Sequence, residues 1–300
     1  MLLDMHHAEN SYSKFLFNQY FYLIEEGKFP LTFIDNIYTP SLQLTCVETN
    51  TNEYVSGYHA PFAGIESNTN SDIELFLGEI TLELSKRNAR SLEIKQAPSF
   101  YQTLESEEIH KGFLKSGFVA TSSDCNQYLS ISPQIEFEAL IEAQKRRRLK
   151  NAKKMGMHVQ LFEHIDLDDW YQVYAEGRMD RGFPITISNE KYNTLSRLRP
   201  DIYTYAGVFL KEELIASAIF VRVSKTVMYY FVAASSPRFA HLSPTVLLIE
   251  AMYNKALNEQ CEYLDLGISS VSGELNEGLH AFKRHIGAQD CIKNTYLYTF

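Results

Sequence analysis

The chain has 300 residues, 45% hydrophobic and 22% charged, a globular composition that excludes a disordered polyelectrolyte. At about one domain per 150 residues, this length points to two domains. The net charge of −9 is unevenly placed: residues 1–132 hold 8 basic and 17 acidic side chains, and residues 133–300 hold 20 of each. A chain-wide polyanion-binding surface is therefore excluded, whereas a local basic patch is not.

In chain order, the first clear signals are a strand at 53–59, a helix at 72–87, a strand at 91–95, a helix at 105–115 and a strand that includes 126–130. A long helix follows at 136–155. Its apolar stripe runs through Phe137, Leu140, Ile141, Leu149, Ala152 and Met155, and Gly156 stops it. Two short helices are predicted at 168–179 and 188–198, then strands at 202–209, 214–223 and 226–233, joined by tight turns at 210–213 and 223–226. A strong helix spans 244–258, with Ser243 as N-cap and Pro244 in its first turn, where a missing N–H costs nothing. A strand at 262–266, a helix at 277–285 and a strand at 292–298 complete the chain.

The two halves share a layout. Successive strands begin 38 residues apart in the first half (53 and 91) and 36 apart in the second (226 and 262). The endings Lys115-Ser-Gly-Phe118 and His285-Ile-Gly-Ala288 also correspond. This repetition predicts two copies of one α/β fold, with domains at 1–132 and 133–300. No Gly/Ser/Pro-rich linker separates them, which predicts close packing rather than loose tethering.

No run of about 18 apolar residues is present, so no transmembrane helix is expected. The opening residues have neither a basic region nor a cleavable apolar core, which predicts a cytoplasmic protein. The four cysteines, Cys46, Cys125, Cys261 and Cys291, form no CxxC pair and read as reduced thiols with no metal role. HExxH, Walker A, GxGxxG and GxSxG patterns are all missing.

Three features carry a family likeness. One is Asp265-Leu-Gly267, then Asn276-Glu-Gly278-Leu-His-Ala-Phe282-Lys283, closing with Gly287-Ala288. Another is the basic stretch Arg146-Arg-Arg-Leu149-Lys-Asn-Ala152-Lys-Lys-Met-Gly156. The third is Tyr58-His-Ala-Pro61-Phe-Ala-Gly64, similar to a Pro-Phe-Gly-Gly turn. Together with the order α-α-β-β-β-α-β-α-β in the second half, they resemble the GNAT acyltransferases, in particular the Fem-type (FemAB-like) branch in which two GNAT-like halves are fused. The resemblance implies an α/β (α+β) fold of two tandem GNAT-like domains, each a mixed, mostly antiparallel sheet flanked by helices. It also implies N-acyltransferase activity with acyl-CoA or aminoacyl-tRNA as donor, since the family includes peptidoglycan aminoacyltransferases that use aminoacyl-tRNA. Two departures matter. GNAT enzymes place a Gly-rich loop before the main helix to cradle the coenzyme A pyrophosphate, and here 235–243 contains no glycine. The inserted helical arm of the best-known peptidoglycan enzymes is also missing.

Acyl transfer needs an amine that can lose its proton and donors for a tetrahedral oxyanion. Asp265 and Gly267 lie at the carboxyl end of a strand, where ligand crevices open in α/β sheets, so Asp265 is the candidate to accept the amine proton or to orient the nucleophile. The resemblance places Lys283 in the substrate channel, opposite developing negative charge. Tyr229 and Tyr230 alternate on a strand, so only one can face the substrate. His241 is a candidate titrating group in the loop, Ser243 opens a helix N-terminus able to hold an anion, and Asn276 is a candidate N-cap. Seven of the ten residues 145–154 are basic. Arg146, Arg148 and Lys150 are the expected guides for an anionic donor or acceptor, Arg148 extending the apolar stripe inward, with Arg178 and Arg181 lining the same groove.

The function expected is transfer of an acyl or aminoacyl group to an amine of a cell-envelope or polysaccharide-related acceptor, by direct attack. The rival is a non-catalytic GNAT-like scaffold or binding protein that has lost its cofactor loop. The expected partners are a small-molecule, glycan or peptide precursor and tRNA, with no DNA and no metal. The oligomeric state cannot be read from the chain.

Overall fold

A computed structural model of the chain describes residues 14–19, 27–36, 38, 40–67, 72–102, 106–162, 168–191, 194, 201–271 and 273–300. Two compact units emerge. The first comprises Met1–Asn126, Ile268–Asn276 and Asp290–Phe300, and the second Gln127–Gly267 and Glu277–Gln289. This corrects the division expected at 132/133. The last strand of the chain belongs to the first unit, and the second unit begins at Gln127.

The sheet of the first unit is built from β1 (Pro30–Ile34), β2 (Leu42–Asn50), β3 (Glu53–Ser56), β5 (Ser91–Lys95), β14 (Gln289–Thr299) and β6 (Val119–Ser130), in that spatial order, with the short β4 (Glu66–Ser67) beside β2. β3 and β5 run parallel, while β1–β2, β2–β3 and β5–β14 are antiparallel. Thr295 to Thr299 of β14 pair with Lys95 to Ser91, which is what removes this strand from the second half. A period-2 pattern marks such a strand but is silent about which sheet it joins. Two helices cover this sheet, α1 (Ile73–Lys86) and α2 (Ser106–Lys115). Asp72 caps α1 by accepting the Leu75 N–H at 2.9 Å, and Ile73, Phe76, Leu77, Ile80 and Leu84 form its buried stripe. That stripe packs with Phe113 of α2 and with Leu92 and Ile94 of β5.

In the second unit the order is β6, β11 (Tyr263–Ile268), β10 (Val227–Ser235), β9 (Glu213–Arg222), β8 (Tyr203–Leu210) and β7 (Met157–Phe162). β10 and β11 are parallel, and β7 to β10 are successively antiparallel. Both tight turns form as expected, the first with Lys211 at φ +58°. One face of the sheet packs on α6 (Pro244–Asn258), through Val246, Leu248, Met252 and Tyr253 against Ala206, Ala218, Phe220 and Leu264. The opposite face meets α5 (Asp168–Asp180). A Cβ on Gly207 would lie 2.6 Å from Trp170, and one on Gly177 2.5 Å from the Ser235 carbonyl, so glycine lets helix and sheet approach. The helix expected at 188–198 falls mostly outside the described residues.

The single helix expected at 136–155 is instead two, α3 (Phe137–Leu140) and α4 (Ala143–Lys154). Between them Ile141 and Glu142 are extended, with ψ of 147° and 154°. Long-range bonds replace the lost helical ones. Glu142 N–H donates to the His285 carbonyl at 2.9 Å, and Arg146 donates to the carbonyls of Glu138 and Ile141 at 2.7 and 2.9 Å. Gly287, at φ +89°, sits so close that a Cβ there would lie 2.9 Å from the Leu140 carbonyl oxygen. The final helix, α7 (Glu277–His285), leads to this glycine. Sequence gave no expectation for β1, β2 or β7.

Candidate active site

The parallel strands β10 and β11 pair only over Val227–Tyr229 and Tyr263–Asp265. Beyond that point β10 bulges at Phe231, because Tyr230 faces Phe220 and Val232 faces Ile219, and it runs on to Ser235. The two strands therefore part at their carboxyl ends, the usual position of a ligand crevice in such sheets.

Four of the residues singled out from sequence meet at this parting. Asp265 has no exposed surface, and its Oδ1 accepts the Gly267 N–H at 2.8 Å. Gly267 takes φ +75°, and its carbonyl accepts a hydrogen bond from Lys283 Nζ at 2.8 Å. Lys283, from α7, is only 4% exposed. Tyr229 is the register partner of Asp265, so both side chains stand on the same face of the sheet. Its hydroxyl lies 3.2 Å from where a Gly267 Cβ would be. Burial pushes the Tyr229 hydroxyl far above the usual tyrosine range, and the Asp265 carboxylate adds to the shift. Tyr229 is therefore a proton donor at neutral pH and not a base.

Tyr230 faces the other way. Its ring lies 4.9 Å from Phe220 and joins the α6 core. Burial also raises its hydroxyl, with the Arg181 charge working against that. Of the two tyrosines, Tyr229 is therefore the one on the same face as Asp265.

The loop before α6 is a 3₁₀ turn, Pro237–Leu242, with His241 exposed at its end. Ser243 does not cap α6: it is left-handed at φ +58°, and its side chain caps no N–H. Instead its Oγ accepts from Arg148 at 3.2 Å. Phe239, Ser243 and Val246 donate their N–H groups to the carbonyls of Ser236, Ala240 and Ser243, and Pro244 has none. Three N–H groups of this stretch are thus engaged and a fourth position has none, so it offers fewer free amides than a Gly-rich pyrophosphate loop.

The basic residues divide by what they already hold. Arg146 is engaged with the carbonyls at the α3–α4 break, and Lys150 pairs with Glu138 at 3.6 Å. Lys153 bridges Glu138 and Glu250 at 3.4 and 2.7 Å. Arg148 is exposed and does not continue the buried stripe, and Met155, the end of that stripe, is 49% exposed. Arg178 donates to the Pro184 carbonyl at 2.8 Å and stacks on Phe183, while Arg181 reaches Ser235 Oγ at 3.4 Å. Asn276 falls in the other compact unit, where its N–H donates to the Ser269 carbonyl at 2.8 Å.

Sequence reasoning missed Asp124 of β6, a buried carboxylate of the first unit. It accepts from Ser270 and Ser122 at 2.6 and 2.7 Å and from the Gly273 N–H at 3.3 Å. These bonds fix the hairpin of β12 (Ser270–Val271) and β13 (Glu274–Leu275) in the segment that follows Gly267. No spacing or motif marks Asp124, because Ser270 and Gly273 lie 146 and 149 residues away in the chain.

Residues 142–284 match the family described as acetyltransferase (GNAT) domain. FemX is similar over 92% of this chain and 89% of its own, at TM-score 0.69 and 12% identity. The chain has the Fem-type tandem GNAT fold. L-PGS from Bacillus licheniformis matches 89% of this chain and 83% of its own, at TM-score 0.60 and 10% identity. A tandem GNAT protein from the clavulanic acid biosynthesis pathway matches 91% and 83%, at TM-score 0.52 and 8% identity. No curated protein matches the sequence. Among the described residues no helix is long and apolar enough to cross a membrane.

Proposed function

We propose that this tandem GNAT protein transfers an aminoacyl group from aminoacyl-tRNA to an amine of an envelope-related acceptor. The observation that carries this reading is the Tyr229–Asp265–Gly267–Lys283 cluster at the parted strands, next to a glycine-free loop several of whose N–H groups are already engaged. The first half of that observation supports acyl transfer, and the second disfavours a coenzyme A thioester. The likeness in fold to the C-terminal domain of a putative lysylphosphatidylglycerol synthetase from Agrobacterium fabrum supports an envelope-related acceptor.

The amine attacks the acyl carbonyl directly. As the C–N bond forms, negative charge grows on the carbonyl oxygen, and the Lys283 ammonium stabilises it in a site largely closed to water. Collapse breaks the bond to the ribose oxygen, which takes a proton from Tyr229, and the proton leaving the amine restores the phenol. Asp265, fully buried, holds Gly267 and faces the phenol rather than touching the amine. A buried lysine is costly to keep, which disfavours the reading of a scaffold that has lost its chemistry.

Isothermal titration with aminoacyl-tRNA and with acetyl-coenzyme A tests the donor. Binding of the tRNA alone is expected. Binding of the coenzyme alone overturns the donor assignment, and binding of neither returns the protein to the scaffold reading.

A further inference from the structure

The first unit holds a cavity of about 370 Å³ past the carboxyl end of β5, between the 3₁₀ turn Ser99–Gln102, the first turns of α2 and the side chains of β14. This volume lies in the range of small-molecule sites, roughly 300–1,000 Å³. The back wall is rigid. Gln96 exchanges two hydrogen bonds with the backbone of Ile65, both 2.9 Å, and Gln102 bridges Ile65 and Ser67 at 2.8 and 2.6 Å. On another side Tyr296 is fixed by Phe113, stacked at 4.1 Å, so the cavity is formed before any ligand arrives.

A directed hydrogen-bond chain lines it. Asn294 donates its side-chain N–H to the Tyr296 oxygen at 3.0 Å, and the Tyr296 hydroxyl lies 2.7 Å from His110 Nδ1. With its oxygen accepting from Asn294, the phenol keeps its own O–H free for the bond with Nδ1. Burial pushes this phenol up to about 12, so the proton stays on it at neutral pH. The bond at Nδ1 orients the His110 ring and leaves Nε2 as its second polar atom. The hydroxyls of Ser99 and Ser123 and the Asn294 carbonyl add acceptors, while Pro98, Ile109 and Ile292 supply apolar surface. Among the described residues of the lining the single charged side chain is Glu107, paired with Lys111 at 2.6 Å.

We infer that this cavity binds an uncharged, hydroxyl-rich ligand the size of one pyranose ring, oriented by His110 and Asn294. Interleaved donors and acceptors beside a small apolar patch suit alternating hydroxyls on a carbon ring, and the pairing of the one charge among the described lining residues disfavours an ion. This inference does not depend on the transferase reading.

Saturation-transfer NMR on the full chain tests it, with D-glucose as the probe and D-glucuronate and N-acetyl-alanine methylamide as contrasts. Glucose is expected to bind, more strongly than either contrast. Tyr296→Phe, which removes the hydroxyl that orients His110, is expected to weaken binding by about tenfold, as is His110→Ala. Thermal melting establishes that each variant is folded, and Tyr296→Phe carries the test if His110→Ala is not. No glucose signal, stronger binding of either contrast, or unchanged binding in the folded variants overturns the proposal.

Discussion

At Gly267 both backbone polar groups are committed, the N–H to Asp265 and the carbonyl to Lys283. Because φ is +75° and a methyl would stand 3.2 Å from the Tyr229 hydroxyl, Gly267→Ala is expected to cost about 1–2 kcal/mol in urea denaturation. It should also impair transfer by displacing that hydroxyl. Tyr229→Phe leaves packing intact and removes only the proton donor. Its rate is expected to fall by about 10² or more with an unchanged melting temperature. Tyr230→Phe, on the opposite face, should leave the rate unchanged, and equal losses in the two variants would contradict the assignment. The alternation of the two tyrosines was legible in the sequence. Which one faces Asp265 was not, because the answer depends on the register of β10 against β11.

At the scale of elements, the break between α3 and α4 rests on Arg146. Arg146→Ala leaves the carbonyls of Glu138 and Ile141 without their donor and is expected to cost about 1–3 kcal/mol in urea denaturation. Lysine at this position should restore only part, since its ammonium cannot reproduce the planar fork. Helical periodicity predicted an unbroken helix here because the apolar stripe is continuous. The glycine at 287, whose close approach accompanies the break, is distant in the chain. The basic face of α4 is partly neutralised by Glu138 and Glu250, which leaves Arg148 as an exposed cation held only by Ser243 among the bonds described. If Arg148 and Lys150 contact tRNA phosphates, Arg148→Glu with Lys150→Glu reduces the slope of log affinity against log salt by about 0.7–0.9 per lost contact. An unchanged slope would reduce this run to a solvated helix face.

At the scale of the whole molecule, stability should depend on acid through Asp124. Burial raises its pKa, but hydrogen bonds from Ser270 and Ser122, the charge of Lys293 and the Gly273 N–H together outweigh burial and hold it below the usual carboxylate value. A depressed folded-state pKa stabilises the fold above the unfolded pKa, and that contribution is lost as pH falls through the folded value. The melting temperature is therefore expected to drop on acidification below the ordinary aspartate range, and Asp124→Asn should flatten that drop. Asp35, held low in the same net sense by Ser41 and Leu42, contributes a second such step within the first unit.

The sequence by itself determined the local structure and the cast of the candidate site. α6, α7 and β5 lie where periodicity predicted, Asp265 and Gly267 were marked by their position at a strand end, and Lys283 by the family resemblance. These features are local: a side-chain period, a proline at a first turn and a glycine after a helix act within a few residues. The tertiary structure decided what depends on partners far apart in the chain. It sent β14 to the first unit, broke the helix at Ile141, turned Ser243 from a cap into a left-handed residue held by Arg148, and brought Lys283 onto the carbonyl of Gly267. Strand pairing and buried hydrogen bonds join residues by distance in space, and a linear pattern carries no record of that distance.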